Sequence, residues 1–267
     1  MDYWKDKVAL VTGSSSGLGL AIAEGFVEAG ARVTVVGLER EAVEEAVAGM
    51  QRAGAEVLGL AADLRRQEEV QRVVQETAEH FGALDVLVNN AGRSMRGMVA
   101  ETTAEQFREL MELNFIALVR CTREALPHLL PRRGHVVNIG SLAAKSASRW
   151  VGAYPATKFA VAAYSQQLRL ELGESGLHVL LVCPGPIARD TPRLYPLEGL
   201  EGIPERARRA GAGVKTKAID PQRLVGAILD ACARRRPELV VPAKARVLFA
   251  LAQLSPRLGD WLVKRFT

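Results

Sequence analysis

Residues 12–19 read Thr12-Gly13-Ser14-Ser15-Ser16-Gly17-Leu18-Gly19 and stand between a short apolar run, Val8–Val11, and a segment with helical spacing, Leu18–Ala29. This order predicts a β-strand, a tight turn and an α-helix. Glycines permit the turn and let the backbone approach a ligand without a Cβ in the way. The start of the helix offers unpaired N–H groups and a partial positive charge to an anion. The turn therefore favours a phosphate-binding site, although a glycine-rich turn taken alone can be purely structural.

Outward from this turn, short apolar runs alternate with helix-period segments along most of the chain. The strand candidates are Val8–Val11, Arg32–Val36, Val57–Ala61, Val86–Val88, Val136–Ile139, Val179–Val182 and Leu239–Val241. The helix candidates are Leu18–Ala29, Arg40–Ala53, Gln67–Phe81, Ala104–Leu130, Gly152–Gly173 and Pro221–Arg234. Continuous apolar runs are typical of parallel strands that are covered on both faces. The pattern predicts an α/β protein with a doubly wound parallel sheet of about seven strands, in a single domain over residues 1–242.

Two segments depart from this alternation. Residues 184–220 form a long connection rich in Pro, Gly and Arg, and its length is typical of a functional lid or of a disordered segment. Residues 243–267 carry apolar side chains at helical spacing and predict a C-terminal amphipathic helical extension of the same domain. We expect this extension to pack on the body or within a homodimer or homotetramer. The alternative is peripheral contact with a membrane.

Composition limits the class of protein. Of the 267 residues, 48% are hydrophobic and 24% are charged, which disfavours global disorder. The net charge of +5 is a weak basic bias, and no nucleic-acid recognition motif accompanies it. The sequence contains no apolar run of membrane-spanning length and no signal sequence at its start, so we expect a cytoplasmic protein. The three widely spaced cysteines predict neither a disulfide framework nor a metal site.

A tyrosine and a lysine lie four residues apart in the helix candidate Gly152–Gly173. Tyr154 and Lys158 therefore share one helix face, and Pro155 is compatible with a first helical turn. A phenol with its ordinary pKa of about 10 is a poor base at neutral pH, but a nearby ammonium group favours the phenolate and lowers that pKa. Tyr154 can then exchange a proton with a carbonyl or an alcohol. Taken alone, the spacing fits an ordinary surface pair of Tyr and Lys better than a catalytic pair.

Two further polar residues stand at informative positions in the pattern. Ser141 follows the strand candidate Val136–Ile139, at the carboxyl edge where open α/β sheets bind ligands. Its hydroxyl can bond an oxygen that gains charge during a reaction, or it can cap the next loop. Asn114 lies in an apolar helical stretch, where a locally bonded buried amide is the simpler interpretation.

These motifs together resemble the short-chain dehydrogenase/reductase family, in its short single-domain branch. The family spacing Thr-Gly-x-x-x-Gly-x-Gly is present at residues 12–19, and further motifs follow in the family's order. They are Asp63-Leu64, Asn89-Asn90-Ala91-Gly92, Asn114, Ser141, Tyr154-Pro155-Ala156-Thr157-Lys158 and Pro184-Gly185-Pro186-Ile187. The match runs from about Lys7 to Val241. It implies a Rossmann-type fold and an NAD(P)(H)-dependent oxidoreductase acting on a carbonyl or a secondary alcohol.

The resemblance also implies roles for individual residues. Tyr154 is the implied general acid/base, Ser141 bonds the substrate oxygen, and Asn114 holds a water that links Lys158 to solvent. The implied catalytic residues are Asn114, Ser141, Tyr154 and Lys158. The implied cofactor-binding residues are Gly13, Ser15, Ser16, Gly17, Leu18, Gly19, Gly37, Arg40, Asp63, Leu64, Asn90, Ala91, Gly92, Tyr154, Lys158, Pro184, Gly185, Ile187 and Thr191.

Within the cofactor set, the resemblance assigns each group of residues to a part of the dinucleotide. Lys158 bonds the nicotinamide ribose, and the segment 184–187 and Thr191 lie along the nicotinamide. The segment 90–92 lines the adenosine side through its backbone, and Asp63 bonds the adenine.

The choice between NAD(H) and NADP(H) depends on the end of the second strand. Family members that prefer NAD usually have Asp where Gly37 stands, and its absence removes repulsion against a 2′-phosphate. Arg40 and the Ser14–Ser16 hydroxyls can bond that phosphate, whereas Glu39 opposes it. Many members that prefer NADP have Arg where Leu38 stands, and others have a basic residue at the position of Ser16. This chain has neither, yet we expect NADP(H) in preference to NAD(H).

Three segments are expected to set substrate choice: Arg93–Gly97, Ala143–Trp150 and the 186–220 loop. Their apolar residues favour a mid-sized or lipid-like small molecule. The alternative enzyme is a 3-oxoacyl thioester reductase of fatty-acid synthesis, although such relatives typically end soon after the seventh strand. An alternative of another class is a catalytically idle nicotinamide-sensing or scaffold protein, and the four filled catalytic positions count against it.

Overall fold

The computed structural model describes residues 3–188, 203–208, 211 and 217–266. Within them, seven strands pair in parallel to form one sheet. The strands are β1 (Val8–Thr12), β2 (Arg32–Gly37), β3 (Val57–Ala61), β4 (Val86–Asn89), β5 (His135–Ile139), β6 (His178–Pro184) and β7 (Glu238–Val241). Their order across the sheet is β3-β2-β1-β4-β5-β6-β7. The predicted Rossmann-type sheet is therefore confirmed.

Helices cover both faces of this sheet. They are α1 (Gly17–Glu28), α2 (Arg40–Arg52), α3 (Gln67–Phe81), α4 (Ala104–Met111), α5 (Ala117–Leu129), α6 (Tyr154–Leu172), α7 (Pro221–Ala233), α8 (Ala245–Leu254) and α9 (Pro256–Phe266). Side chains of α1, α2 and α7 pack on one face, and side chains of α3, α5 and α6 pack on the other. Burial on both faces explains why the strands read as continuous apolar runs.

The strand order creates a crevice at the carboxyl edge. From β1 the chain moves outward through β2 to β3, then returns to β4 on the other side of β1 and continues to β7. The loops that leave β1 and β4 therefore diverge. Ligands of open α/β sheets bind at such a switch point. Both the segment 90–92 and the glycine-rich turn at residues 13–19, here called the glycine loop, begin there.

The predicted helix Ala104–Leu130 is not continuous in its hydrogen bonding. A π-helical turn, Glu112–Ile116, separates α4 from α5, so the expectation of one regular helix is wrong. Leu110, Asn114 and Leu118 are buried at intervals of four residues, a spacing that a regular α-helix also produces, so apolar spacing did not reveal this turn. Such turns often occur at functional sites, and this one carries Asn114.

The expected C-terminal helical extension is present as α8 and α9, and α8 packs beside β7. The division of the domain at residue 242 stays a prediction. Among the described residues, every helix is either too short or too polar to cross a membrane.

Candidate active site

Most of the predicted site residues that the structure describes lie at the carboxyl edge of the sheet. The glycine loop leaves β1, Asn90 follows β4, and Ser141 follows β5. Lys158 joins them from the second turn of α6, since its Nζ donates to the carbonyl of Ile139 at the end of β5 over 2.8 Å. Parallel strands end at one edge, and this is why residues far apart in sequence meet here.

Lys158 is buried, with 6% of its surface exposed. Burial lowers the pKa of its ammonium group to about 8, because water no longer solvates the charge. An ammonium group has three N–H donors. The one acceptor that the described residues provide is the Ile139 carbonyl, so the remaining donors suit a ligand.

Tyr154 is the first residue of α6 and is half-buried. The centre of its ring lies 5.8 Å from Nζ of Lys158. Its carbonyl accepts a hydrogen bond from Oγ1 of Thr157 at 2.8 Å, and its N–H donates to the Val151 carbonyl at 3.0 Å. These bonds fix the start of the helix and hence the base of the phenol side chain. The alternative of an ordinary surface pair is wrong, since Lys158 is buried.

Ser141 caps the short 3₁₀ turn Leu142–Ala144, because its Oγ accepts a hydrogen bond from the N–H of Ala143 at 3.1 Å. The capping interpretation is thus confirmed. It does not exclude contact with a substrate, because the cap uses a lone pair and leaves the hydroxyl hydrogen to donate elsewhere.

Asn114 lies in the π-helical turn with 1% of its surface exposed. Its Oδ1 accepts from the N–H of Arg93 at 2.9 Å, and its Nδ2 donates to the Arg93 carbonyl at 2.9 Å and to Oγ1 of Thr157 at 3.1 Å. Both amide donors are therefore used in joining the loop after β4 to α6. The structure thus confirms a locally bonded buried amide, and the water relay that the family resemblance implies stays a prediction.

The glycine loop is packed closely against the segment that follows β4. A Cβ built on Gly13 would lie 2.9 Å from Cα of Ala91, and one built on Gly19 would lie 2.1 Å from the Gly13 carbonyl oxygen. Side chains at these positions would force the two loops apart. Nδ2 of Asn90 bridges them by donating to the carbonyls of Thr12 and Gly13, each at 2.9 Å.

Thr12 opens the glycine motif, but it was not among the predicted site residues. Its Oγ1 donates to the Val88 carbonyl at 3.2 Å and accepts from the N–H groups of Asn90 and Ala91 at 2.9 Å and 3.1 Å. The hydroxyl therefore ties the end of β1 to the end of β4. Its position directly before the first glycine is the signal that could have identified it.

The start of α1 fits a phosphate group. Ser16 occupies the N-cap position without making a side-chain cap, and the first turn contains no acidic residue. A Cβ built on Gly17 would have no described atom within 4 Å, so open space lies over the turn. Uncapped N–H groups beside open space at a helix start are what an anion requires. The loop therefore fits the pyrophosphate of a dinucleotide.

The end of β2 shows why a side chain is excluded at Gly37. A Cβ there would lie 2.5 Å from Oγ of Ser15 and 2.8 Å from Cγ2 of Val43. Ser15 thus fills the space beside Gly37. Leu38 beyond it is 59% exposed, and Arg40 is exposed at the start of α2.

Asp63 follows β3, but its carboxylate is already paired. Arg65 donates to it through Nε at 2.8 Å and through Nη2 at 2.7 Å. These hydrogen bonds lower the pKa of the Asp63 carboxyl. Leu64 beside it is buried. Contacts of either residue with adenine stay a prediction.

The segment after β6 is held by backbone hydrogen bonds. The N–H of Gly185 donates to Val241 at 2.8 Å, and Ile187 forms a parallel bridge with Ile219. These bonds fix the predicted nicotinamide segment Pro184–Ile187 against the sheet edge. Thr191, also predicted to bind the cofactor, lies outside the described residues.

The described parts of the three predicted substrate segments meet beside this edge. Arg96 is buried and its Nε donates to the carbonyl of Ala207 at 2.7 Å. Ile203 and Ala207 pack with Trp150 in a small apolar cluster. Arg96 therefore clamps the 203–208 turn onto the loop after β4. Sequence reasoning identified these segments without identifying the clamp.

The family model of the short chain dehydrogenases matches residues 7–195. This chain belongs to that family. An L-fucose dehydrogenase from Oryctolagus cuniculus is 35% identical over 210 residues, which cover 77% of this chain and 71% of the relative. The ketoacyl reductase HetN from a Nostoc species is 26% identical over 267 residues, which cover 97% of this chain and 89% of the relative.

Among solved structures, a short chain dehydrogenase/reductase from Burkholderia phymatum, in complex with NAD, superposes with a TM-score of 0.85. It is 23% identical and covers 97% of this chain and 96% of that chain. The likeness supports the fold. Membership of the family makes this chain an oxidoreductase of alcohol and carbonyl groups that uses NAD(P).

A second polar cluster of this short chain dehydrogenase lies at the opposite, amino edge of the sheet. His135 begins β5 and His178 begins β6, and their Nδ1 atoms are 2.8 Å apart. Nε2 of His178 lies 2.8 Å from the Arg236 carbonyl, and Nε2 of His135 lies 2.8 Å from the hydroxyl of Tyr3. Sequence analysis did not predict this cluster, because 43 residues separate the two histidines.

The partners fix the direction of every hydrogen bond in this cluster. Nε2 of His178 must donate, because a carbonyl only accepts. Burial lowers the pKa of His178 to about 4 and that of His135 to about 3, so both rings are neutral. Nδ1 of His178 therefore accepts from His135, whose Nε2 accepts from Tyr3. The Sγ atom of Cys232 lies within 4.8 Å of a ring nitrogen of each histidine. A metal ion bound by these three atoms would have to displace the hydrogen bond between the rings.

Proposed function

We propose that Tyr154 is the general acid/base of this short chain dehydrogenase, and that the substrate is a mid-sized or lipid-like carbonyl or secondary alcohol. The observation that carries the proposal is the buried Lys158 ammonium group one helical turn from Tyr154, at the same sheet edge as Ser141. Buried charges are costly unless they have a partner or a task. Lys158 has a neutral carbonyl as its protein partner, which favours a task in the reaction.

The proton chemistry follows from these positions. In reduction, the phenol of Tyr154 gives its proton to the substrate oxygen, and in oxidation the phenolate takes it back. At neutral pH a group with a pKa of about 8 is mostly protonated, so Lys158 supplies a positive charge that stabilises the phenolate. The hydroxyl hydrogen of Ser141 can donate to the same substrate oxygen as negative charge develops there.

Asn114 acts in this proposal through its neighbours. Its amide fixes the loop after β4 to Thr157, and Thr157 in turn holds the first turn of α6. It is therefore a positioning residue for Tyr154 as well as the expected holder of a relay water.

The dinucleotide would be held along the crevice between β1 and β4. Its pyrophosphate would meet the N–H groups of the Ser15–Gly19 turn, its adenosine the segment 90–92, and its nicotinamide ribose Lys158. A nicotinamide bound there supplies or accepts the hydride. The proposed order of preference is NADP(H) over NAD(H), because Gly37 carries no acidic group and Arg40 is exposed nearby.

A 3-oxoacyl thioester is the second candidate substrate, favoured by one comparison. The ketoacyl reductase from Nostoc aligns over 97% of this chain, so the length of the C-terminus does not argue against that substrate class. A sugar is a third class to include, since another relative is an L-fucose dehydrogenase. A panel of ketones, secondary alcohols, acetoacetyl-coenzyme A and fucose, followed by nicotinamide absorbance with each cofactor, separates these classes.

The acid/base proposal is tested by Tyr154→Phe, which removes one hydroxyl. Turnover should fall by a factor of about 100 or more, while the rise in melting temperature caused by the cofactor persists. Tyr164→Phe is the matched control, because Tyr164 lies on the same helix, its ring packs against Phe115, and its hydroxyl hydrogen-bonds Thr122, which is not a predicted site residue. Turnover of Tyr154→Phe within about tenfold of the parent, with Tyr164→Phe unchanged, would exclude Tyr154 as the acid/base.

A further inference from the structure

The C-terminal helices α8 and α9 expose an unusual amount of apolar surface. Val247 is 64% exposed, Leu254 is 77% exposed and Trp261 is 55% exposed. Leu251 and Leu258 are also exposed. On α8, Val247, Leu251 and Leu254 follow the spacing i, i+4, i+7 and therefore share one face. This face of α8 is apolar, yet neither the sheet nor α9 covers it.

The inner side of this extension is fixed to the body. Phe249 and Ala245 pack in a cluster with Val240 and Ala144. The helices also pack on each other, since a Cβ built on Gly259 would lie 3.0 Å from the Ala252 carbonyl oxygen. The exposed face is therefore part of an ordered surface.

The same segment carries most of the protein's net charge. Residues 243–267 contain five basic residues and one acidic residue. They are Lys244, Arg246, Arg257, Lys264, Arg265 and Asp260. The whole chain has 35 basic and 30 acidic residues, so the remainder has 30 against 29. The extension thus has a net charge of +4 beside a body of +1.

We propose that α8 and α9 form a docking surface for an anionic lipid bilayer. Exposed Leu and Val side chains beside basic residues are the composition of helices that lie in a membrane interface. Trp261, with the Arg265 guanidinium 5.5 Å from its ring centre, matches the amphipathic anchors of that region. Each basic residue near an anionic leaflet adds to the attraction.

The charge argues against a second copy of this chain as the partner. In a two-fold dimer the same patch faces itself, so two segments of net charge +4 would meet and repel. An anionic bilayer accepts both the charge and the apolar side chains. The cluster that holds Phe249 also contains Ala144 and Leu142, which directly follow Ser141. Docking would therefore place the proposed active site near the membrane.

The test is co-sedimentation of the full chain with vesicles of equal parts phosphatidylcholine and phosphatidylglycerol. We expect binding that weakens by about tenfold or more in high salt or on pure phosphatidylcholine, because the electrostatic part is lost. The double variant Leu254→Ser, Trp261→Ser should bind at least about tenfold less. Leu170→Ser is the matched control, since Leu170 is exposed on α6 outside the extension.

Two further readouts separate loss of membrane binding from loss of folding or a change of oligomeric state. Turnover in vesicle-free buffer should be equal for the double variant and the parent, which shows that both are folded. Their masses by light scattering should also agree. Equal binding to both kinds of vesicle, unchanged binding of the double variant, or a change of mass without loss of vesicle binding would each overturn the proposal.

Discussion

Strands β5 and β6 have buried polar groups at both ends, and the two ends differ in one respect. At the amino ends, all four ring nitrogens of His135 and His178 have hydrogen-bond partners within the protein. At the carboxyl end, the described residues provide Lys158 with one acceptor. Burial lowers the pKa of the ionisable groups at both ends. A perturbed pKa therefore does not by itself identify an active site; unused hydrogen-bonding capacity beside a crevice does.

The two edges should also differ in their contribution to stability. A saturated network in a low-dielectric interior stabilises the fold, and breaking it leaves unsatisfied groups. A buried ammonium group with one neutral partner is costly, and functional residues commonly carry such a cost. Substitutions at the carboxyl edge should therefore reduce activity without loss of stability. Substitutions at the amino edge should lower stability and leave activity unchanged.

Replacement of Lys158 by Met is expected to have the largest effect. Turnover should fall by a factor of about 100 to 10,000, because the phenolate of Tyr154 loses the charge that favours it. The shift of the lysine pKa from 10.5 to about 8 corresponds to about 3 kcal/mol of burial cost. Removal of this cost should raise the free energy of unfolding, but only in part, because the Ile139 carbonyl loses its hydrogen-bond donor. We expect the melting temperature to rise by about 2–4 °C.

Lys5→Met is a suitable control, since Lys5 is exposed and precedes β1 at the amino edge of the sheet. It should keep its turnover. A lower melting temperature for Lys158→Met, measured by calorimetry without cofactor, would contradict the view that Lys158 is held at a cost in stability.

Low pH should reduce the free energy of unfolding, because the two buried histidines at the amino edge become protonated on unfolding. The folded pKa values of about 3 for His135 and about 4 for His178 lie below the ordinary 6.5. The unfolded chain therefore binds protons that the folded chain does not, and stability is full above pH 6.5 and is lost as the pH falls towards 4. Two histidines give a slope of up to about 2.7 kcal/mol per pH unit. Urea unfolding at pH 7, 6 and 5 measures this slope. A free energy of unfolding that does not change over this range would contradict the view that both histidines are neutral in the folded protein.

His178→Leu should have a smaller effect at neutral pH. The Arg236 carbonyl loses its donor and His135 Nδ1 loses its acceptor, which should lower the free energy of unfolding by about 1–3 kcal/mol. The slope between pH 6.5 and 5 should fall to about half, since one histidine remains. Turnover per folded molecule should stay at the parental value. A large loss of turnover with normal stability would mean that the two edges are coupled.

The sheet could be predicted from sequence because its strands are buried on both faces and thus read as apolar runs. The crevice was predictable too, since Gly13 and Gly19 mark a turn that tolerates no side chain. Tyr154 and Lys158 followed from helical spacing. Each of these signals is local in sequence.

What sequence did not reveal depends on tertiary contacts. The π-helical turn at Asn114 leaves the apolar spacing intact. The bond between His135 and His178 requires β5 and β6 to be adjacent and in register, which no local pattern encodes. Arg96 looks like a surface residue in sequence, and its burial depends on the 203–208 turn folding over it.

A crystal structure of the full chain with NADP⁺ and a secondary alcohol tests the division between the two edges most directly. We expect the dinucleotide in the crevice between β1 and β4, with the hydroxyls of Tyr154 and Ser141 both within hydrogen-bond distance of the alcohol oxygen. A dinucleotide bound elsewhere, or a Tyr154 hydroxyl turned away from that oxygen, would contradict the assignment of the carboxyl edge as the reaction centre.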